Sequence, residues 1–158
     1  MDRLTQARVT LDLGVPVVEQ LAVLHLLRDS APALADLRDR LRERRDALVT
    51  AVRSAFPDWT FRVPSGGLSL WCELPGAGPG PGRGLGLALA DEAERHGVII
   101  APGPVFAPEG GLDRFVRIPF TRRVEELERA VAGIAAAWAV VQAHQSTASR
   151  SSGRVMVA

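Results

Sequence analysis

The segment DRFVRIPFT, Asp113 to Thr121, carries the residue best placed for chemistry in this sequence. Read as a strand, Val116, Ile118 and Phe120 share one face, while Phe115, Arg117 and Pro119 share the other. That spacing sets Arg117 among apolar neighbours, where a guanidinium costs free energy unless an acid or a ligand pairs with it. Its planar fork suits bidentate binding of a carboxylate. Spacing alone leaves two roles open: one half of a structural ion pair, or the anchor of a ligand carboxylate.

A second stretch, VPSGGLSLWCELPG from Val63 to Gly76, runs two glycines straight into an alternating pattern. Leu68, Leu70, Cys72 and Leu74 point one way; Ser69, Trp71 and Glu73 point the other. Pro75 and Gly76 then end the strand. Gly66 and Gly67 fit a turn that needs positive φ, or a wall where a ligand approaches closer than a Cβ allows. A hairpin entry and the floor of a binding site both remain open.

Other chemistries find little support. All 19 basic residues are arginine, so the chain has no lysine and no side-chain amine for a Schiff base. His25, His96 and His144 lie far apart without metal-ligand spacing, and no G-x-S-x-G pattern marks a serine nucleophile. No catalytic residue and no metal site is assigned. The single cysteine, Cys72, excludes an internal disulfide and falls on the apolar strand face, where it reads as a small buried hydrophobe. The run GPGPGRGLG lacks a P-loop lysine and reads as a connector, not a phosphate cradle. A net charge of +1 gives no general nucleic-acid or membrane surface. The acids Asp36, Asp39, Glu43 and Asp46 interleave the arginines around DRDRLRERRD, which therefore reads as a solvated helix face. No apolar run reaches the roughly 20 residues a membrane helix needs. The N-terminus lacks a signal-peptide core, and the expected location is cytoplasmic.

The elements that must position these residues follow from periodicity. A short helix is expected before Gly14, a second from Val15 to Leu27, and a long third from about Ser30 to Phe56, with Ser30 as N-cap and Pro32 in its first turn. Trp59 to Val63 reads as a strand, the glycine-led stretch as the next. A helix from about Leu85 to His96 is closed by Gly97 as an αL cap. VIIAPG and Phe115 to Phe120 supply the last strands. The final helix runs from Val124 to about Val141 with Val124, Leu127, Val131, Ile134 and Trp138 on one stripe. The order implies an α/β (α+β) layer, a small three- or four-stranded, mainly antiparallel sheet with packed helices. Three regions are expected: helical segments over 1–29, a compact domain over 30–141, and a Ser-rich disordered tail over 142–158.

Taken in order, LGVPVVEQLA (Leu13 to Ala22), LRERRDALVTAV (Leu41 to Val52), PSGGLSLWCELP (Pro64 to Pro75), HGVIIAPGPVF (His96 to Phe106) and FVRIPFT (Phe115 to Thr121) resemble a known pattern. It is that of the C-terminal small domain of fold type I pyridoxal-phosphate aminotransferases. The likeness looks closest to the aminotransferase-like domain of MocR regulators in the GntR family, and it covers about Leu4 to Val141.

The resemblance implies that Arg117 holds the α-carboxylate of an amino-acid-like ligand. It implies that Gly66 and Gly67 line the strand entry beside that ligand, and that Pro102 to Phe106 approach the site without supplying chemistry. The cofactor lysine and phosphate-binding residues would lie in a large domain preceding Met1, as would a winged-helix DNA-binding module. On this reading pyridoxal phosphate belongs to the full-length family and is not held covalently by this chain, which should not transaminate as encoded. The partners implied are the large domain, a homodimer mate and, only through the winged helix, DNA; no membrane is implied. The regulator reading is preferred, with a piece of a genuine aminotransferase or a stand-alone ligand-binding module as alternatives.

Overall fold

The computed structural model describes residues 16–29, 31–76 and 84–151, so the helix expected before Gly14 and the cap expected at Ser30 lie outside the described residues. The chain divides into two compact units, Met1–Arg40 and Leu41–Ala158.

In the first unit, helix α1 (Val17–Asp29) starts just after Pro16, whose carbonyl accepts from the Gln20 amide at 3.2 Å. Proline is tolerated here because the first-turn amides have no intrahelical acceptor. The apolar side chains of α1 lie in solvent: Val18 is 77 % exposed, Leu21 60 % and Leu26 66 %. They occupy several sides of the helix instead of one stripe. Helix α2 (Ala31–Ala55) begins in this unit and ends in the second.

The second unit holds, among the described residues, a four-stranded sheet of β1 (Thr60–Phe61), β2 (Ser69–Glu73), β3 (Ala101–Pro102) and β4 (Phe115–Pro119). The strand order is β1-β2-β4-β3 and each neighbouring pair is antiparallel. With helices α3 (Leu85–Arg95) and α4 (Val124–Ser151) it forms the small α/β layer expected from the sequence.

Parity fixes the inner face. Leu70, Cys72, Val116 and Ile118 are all buried, with Leu74 and Phe120 continuing the same rows. They join Leu48 and Val52 of α2, Leu85 and Leu89 of α3, and the α4 stripe from Leu127 to Val141 in one hydrophobic cluster. At about 25 cal/mol per Å² of apolar surface, this burial is the main favourable term in folding. A ring cluster joins the same core: Phe56 stacks on Trp59 at 4.0 Å, and Trp59 meets Trp138 edge-on at 5.5 Å.

Leu68 departs from the expected face. Strand β2 begins one residue later, so Leu68 is 48 % exposed while its carbonyl accepts from the Phe120 amide at 2.9 Å. Gly97 has φ +76° after α3, as its αL cap role requires. Gly86 does work that the connector reading missed. A Cβ there would stand 2.3 Å from the Phe115 carbonyl oxygen, so glycine lets the first turn of α3 press against the chain entering β4. The Gly86 amide donates to Asp113 O at 2.7 Å, which fixes that approach.

The last helix also differs from expectation. It continues through Gln142–Ser151, where a disordered tail is expected from the serine content. No glycine or proline interrupts that stretch, and two of its hydroxyls turn inward on the helix backbone. Ser146 Oγ donates to Gln142 O at 3.0 Å, and Thr147 Oγ1 to Ala143 O at 3.0 Å.

Candidate functional site

The outward face of β2 and β4 carries the alternate residues Ser69, Trp71, Glu73, Phe115, Arg117 and Pro119. Register sets Trp71 directly opposite Arg117 and Ser69 opposite Pro119. Arg117 is exposed on this face. The expectation of a guanidinium desolvated by apolar neighbours is therefore corrected: these neighbours share a face that solvent reaches, and burial charges no penalty against the cation.

The structure also shows what Arg117 touches. Its Nε donates to Ser69 Oγ at 2.8 Å, across to the neighbouring strand. Its guanidinium carbon stands 5.6 Å from the centre of the Phe106 ring, within cation–π range. Among the described residues no carboxylate pairs with it. One of the two roles the spacing left open, the structural ion pair, thus has no partner here. The Nη1 and Nη2 edge of the fork remains as the donor set.

Phe106 belongs to a 3-10 turn, Gly103–Phe106, that follows β3. Its ring meets Trp71 edge-on at 5.4 Å, and Trp71 stacks on Phe115 at 5.7 Å. Phe106 is 44 % exposed, so the row of rings leads from half-buried Phe115 and Trp71 out to the cation. Gly103 makes the turn fit: a Cβ there would lie 2.1 Å from Leu112 O. The turn expected to approach the site without supplying chemistry places a ring against Arg117.

Gly66 and Gly67 stand three and two residues before Ser69, at the end of the sheet toward which Arg117 reaches. Gly67 has φ +86°, so turn geometry asks for glycine there. Gly66 has no such angle, and a Cβ on it would meet nothing within 4 Å. The turn is held from the other side of the domain by consecutive arginines of α2. Arg45 Nη1 donates to Pro64 O at 3.1 Å and Arg44 Nη1 to Thr121 O at 2.6 Å, so α2 ties down the entry of β2 and the exit of β4 together.

Ser69, Trp71 and Phe106 were not singled out as functional from the sequence. Strand parity does put Ser69 and Trp71 opposite the apolar face, but pairing them with Arg117 needs the cross-strand register. The other reactive groups stay apart. Cys72 is fully buried, and burial pushes its thiol up to about 12. His96 Nε2 lies 3.5 Å from Glu92 Oε1 on α3. Among the described residues no group of three or more His, Cys, Asp or Glu could hold a metal ion, and no helix is long and apolar enough to cross a membrane.

No family model matches the chain. Individual relatives do. An LL-diaminopimelate aminotransferase of Oleidesulfovibrio alaskensis is 31 % identical over 132 residues, covering 84 % of this chain and 32 % of that protein. The α-aminoadipate aminotransferase of Thermus thermophilus, solved with N-(5'-phosphopyridoxyl)-L-leucine, superposes with a TM-score of 0.74 at 26 % identity, over 90 % of this chain and 36 % of that one. The chain is related to the aminotransferases. An archaeal alanine:glyoxylate aminotransferase matches with a TM-score of 0.66 at 25 % identity, over 84 % of this chain and 32 % of that one. The chain thus spans about a third of the length of the aminotransferases it matches.

These relatives are enzymes, and they favour the aminotransferase alternative over the preferred regulator reading; closeness to MocR proteins gains no support from them. The relationship implies pyridoxal phosphate for full-length aminotransferases. The residues of this chain do not fit a covalently held pyridoxal phosphate, because the sequence contains no lysine amine to bind it.

Proposed function

We propose that this chain forms the carboxylate-binding side of an amino-acid site in a pyridoxal-phosphate-dependent aminotransferase. The observation that carries the reading is the free edge of Arg117: Nε is engaged by Ser69, and no described carboxylate occupies the two Nη nitrogens. An amino-acid carboxylate matches that edge in charge and in spacing. The open space around Gly66 leaves room for the ligand at the end of the sheet where Arg117 reaches.

The rest of the reaction is the work of a large domain that carries the cofactor and its lysine. Helix α1 supports such a partner, since exposed valines and leucines on several sides are the mark of a helix covered by other protein. A homodimer mate belongs to the same picture. No observation in the structure favours the DNA-dependent regulator.

The test is made on the native polypeptide that carries this sequence, captured from its source cell with an antibody to the domain and sized on a denaturing gel. A product about three times this length, able to transfer an amino group with added pyridoxal phosphate, supports the enzyme. Arg117→Ala in that polypeptide is expected to lower kcat/KM roughly 30- to 160-fold, the worth of a charged bidentate pair of about 2–3 kcal/mol. Retention of DNA without amino transfer would give the regulator reading instead. Unchanged kinetics in Arg117→Ala would remove the carboxylate anchor.

A further inference from the structure

We infer that Ser69 is the positioning residue that sets the direction from which Arg117 receives a carboxylate. The inference rests on the reading of Arg117 as a carboxylate anchor. An exposed arginine has many rotamers, and most of them point its fork at nothing useful. Here two contacts restrict it. Ser69 Oγ accepts from Nε at 2.8 Å, and the Phe106 ring lies beneath the guanidinium at 5.6 Å. Phe106 is itself braced by Trp71, which sits across the strand pair from Arg117. The head group is thus held at its neck by a hydroxyl and at its carbon by a ring.

The chemistry of the fork makes this restraint directional. Arginine can present a carboxylate with two parallel N–H bonds either side-on, from Nε and one Nη, or end-on, from the two Nη nitrogens. Nε carries one hydrogen, and Ser69 takes it. The side-on edge is therefore closed and the end-on edge is left. Because Ser69 follows the Gly66-Gly67 turn by two residues, the tether also draws the fork toward the glycine end of the sheet. A serine serves here where a carboxylate would not: it orients the cation without neutralising it, so the positive charge remains available to a ligand.

The experiment uses the purified 158-residue chain labelled with 15N, reading the arginine Nε–Hε signals. Loss of one signal in Arg117→Lys identifies that of Arg117. Its exchange with water is expected to be slow in the wild type, fast in Ser69→Ala and slow again in Ser69→Thr, which restores an acceptor oxygen. Sodium acetate, titrated against sodium chloride at matched ionic strength, is expected to shift the remaining Arg117 signals. Ser69→Ala should weaken that acetate response about fivefold, as the loss of one net hydrogen bond allows, and Ser69→Thr should restore it.

Equal exchange in wild type and Ser69→Ala would overturn the role of Ser69, as would an acetate response that Ser69→Ala leaves unchanged. Acetate that leaves Arg117 unmoved in the wild type, while exchange follows the Ser, Ala, Thr series, would strike the carboxylate reading alone and leave the tether standing.

Discussion

Two aromatic triplets sit on opposite sides of the same sheet. Phe56, Trp59 and Trp138 lie on the core side, each no more than 8 % exposed, and join the segment between α2 and β1 to α4. Phe106, Trp71 and Phe115 lie on the outer side, partly in solvent, and end at a cation. Both triplets combine one stacked and one edge-on contact, so ring geometry does not separate them. Their surroundings do. The inner rings are enclosed by aliphatic side chains, while the outer rings flank a hydroxyl and a guanidinium with unused donors. A fold that needed only stability would have little reason to maintain the second set.

The largest expected effect tests that contrast by removing one ring from each side. Trp138→Ala should cost about 4 kcal/mol, because truncating a buried tryptophan loses its transfer energy and leaves a cavity. Phe106→Ala should cost less than about 1 kcal/mol, since its ring is already half in water and a cation–π pair at an exposed site contributes only about 0.5–1 kcal/mol. Urea unfolding of the two variants measures both. Comparable losses would mean that the outer triplet is a second core and would remove the functional argument built on its exposure.

Cys72 and Glu73 carry the contrast to neighbouring residues. Burial raises the Cys72 thiol from 9.0 to about 12, so the folded chain holds its proton where the unfolded chain releases it. The stability this thiol allows is therefore fully present below 9.0 and declines as pH rises toward 12. The slope should approach at most about 1.4 kcal/mol per pH unit, the limit for one proton. Cys72→Ala should flatten that part of the stability curve. A slope unchanged by the substitution would mean that the inner face is open to water at β2.

Much of the inner face was legible in the sequence, because a two-residue period is a local property of the chain. Leu70, Cys72, Val116 and Ile118 could be assigned by parity alone, and the α4 stripe by its 3.6-residue spacing. The outer face was legible only as a list of residues pointing away from the core. Which of them meet depends on register: Ser69 and Arg117 are 48 positions apart in sequence and become neighbours only when β2 pairs with β4. Phe106 was harder still, since its ring is delivered by a turn whose placement depends on Gly103 pressing against Leu112. Composition misled at the C-terminus for a related reason. Serine and threonine suit disordered chain, yet here their hydroxyls bond back to carbonyls one turn earlier and the helix runs on.

The smallest effect gives the sharpest control on Arg117. At the other end of the same two strands, Arg114 Nη2 lies 2.6 Å from Glu73 Oε1, and Thr60 Oγ1 donates to Glu73 Oε2 at 3.4 Å. Here the outer face does contain the structural ion pair that spacing allowed for Arg117. Both partners are well exposed, at 49 % and 35 %, so water and salt screen the attraction. A double-mutant cycle over Arg114→Ala and Glu73→Ala should give a coupling of about 0.2–1 kcal/mol that shrinks in 1 M salt. A coupling near zero would still leave the outer face without structural charge, which is what the site requires. A coupling of several kcal/mol that resists salt would show that arginines on this face are used to hold the sheet together. Arg117 would then stand apart more sharply, as a cation left without an acid among the described residues on a face where its neighbour is held by one.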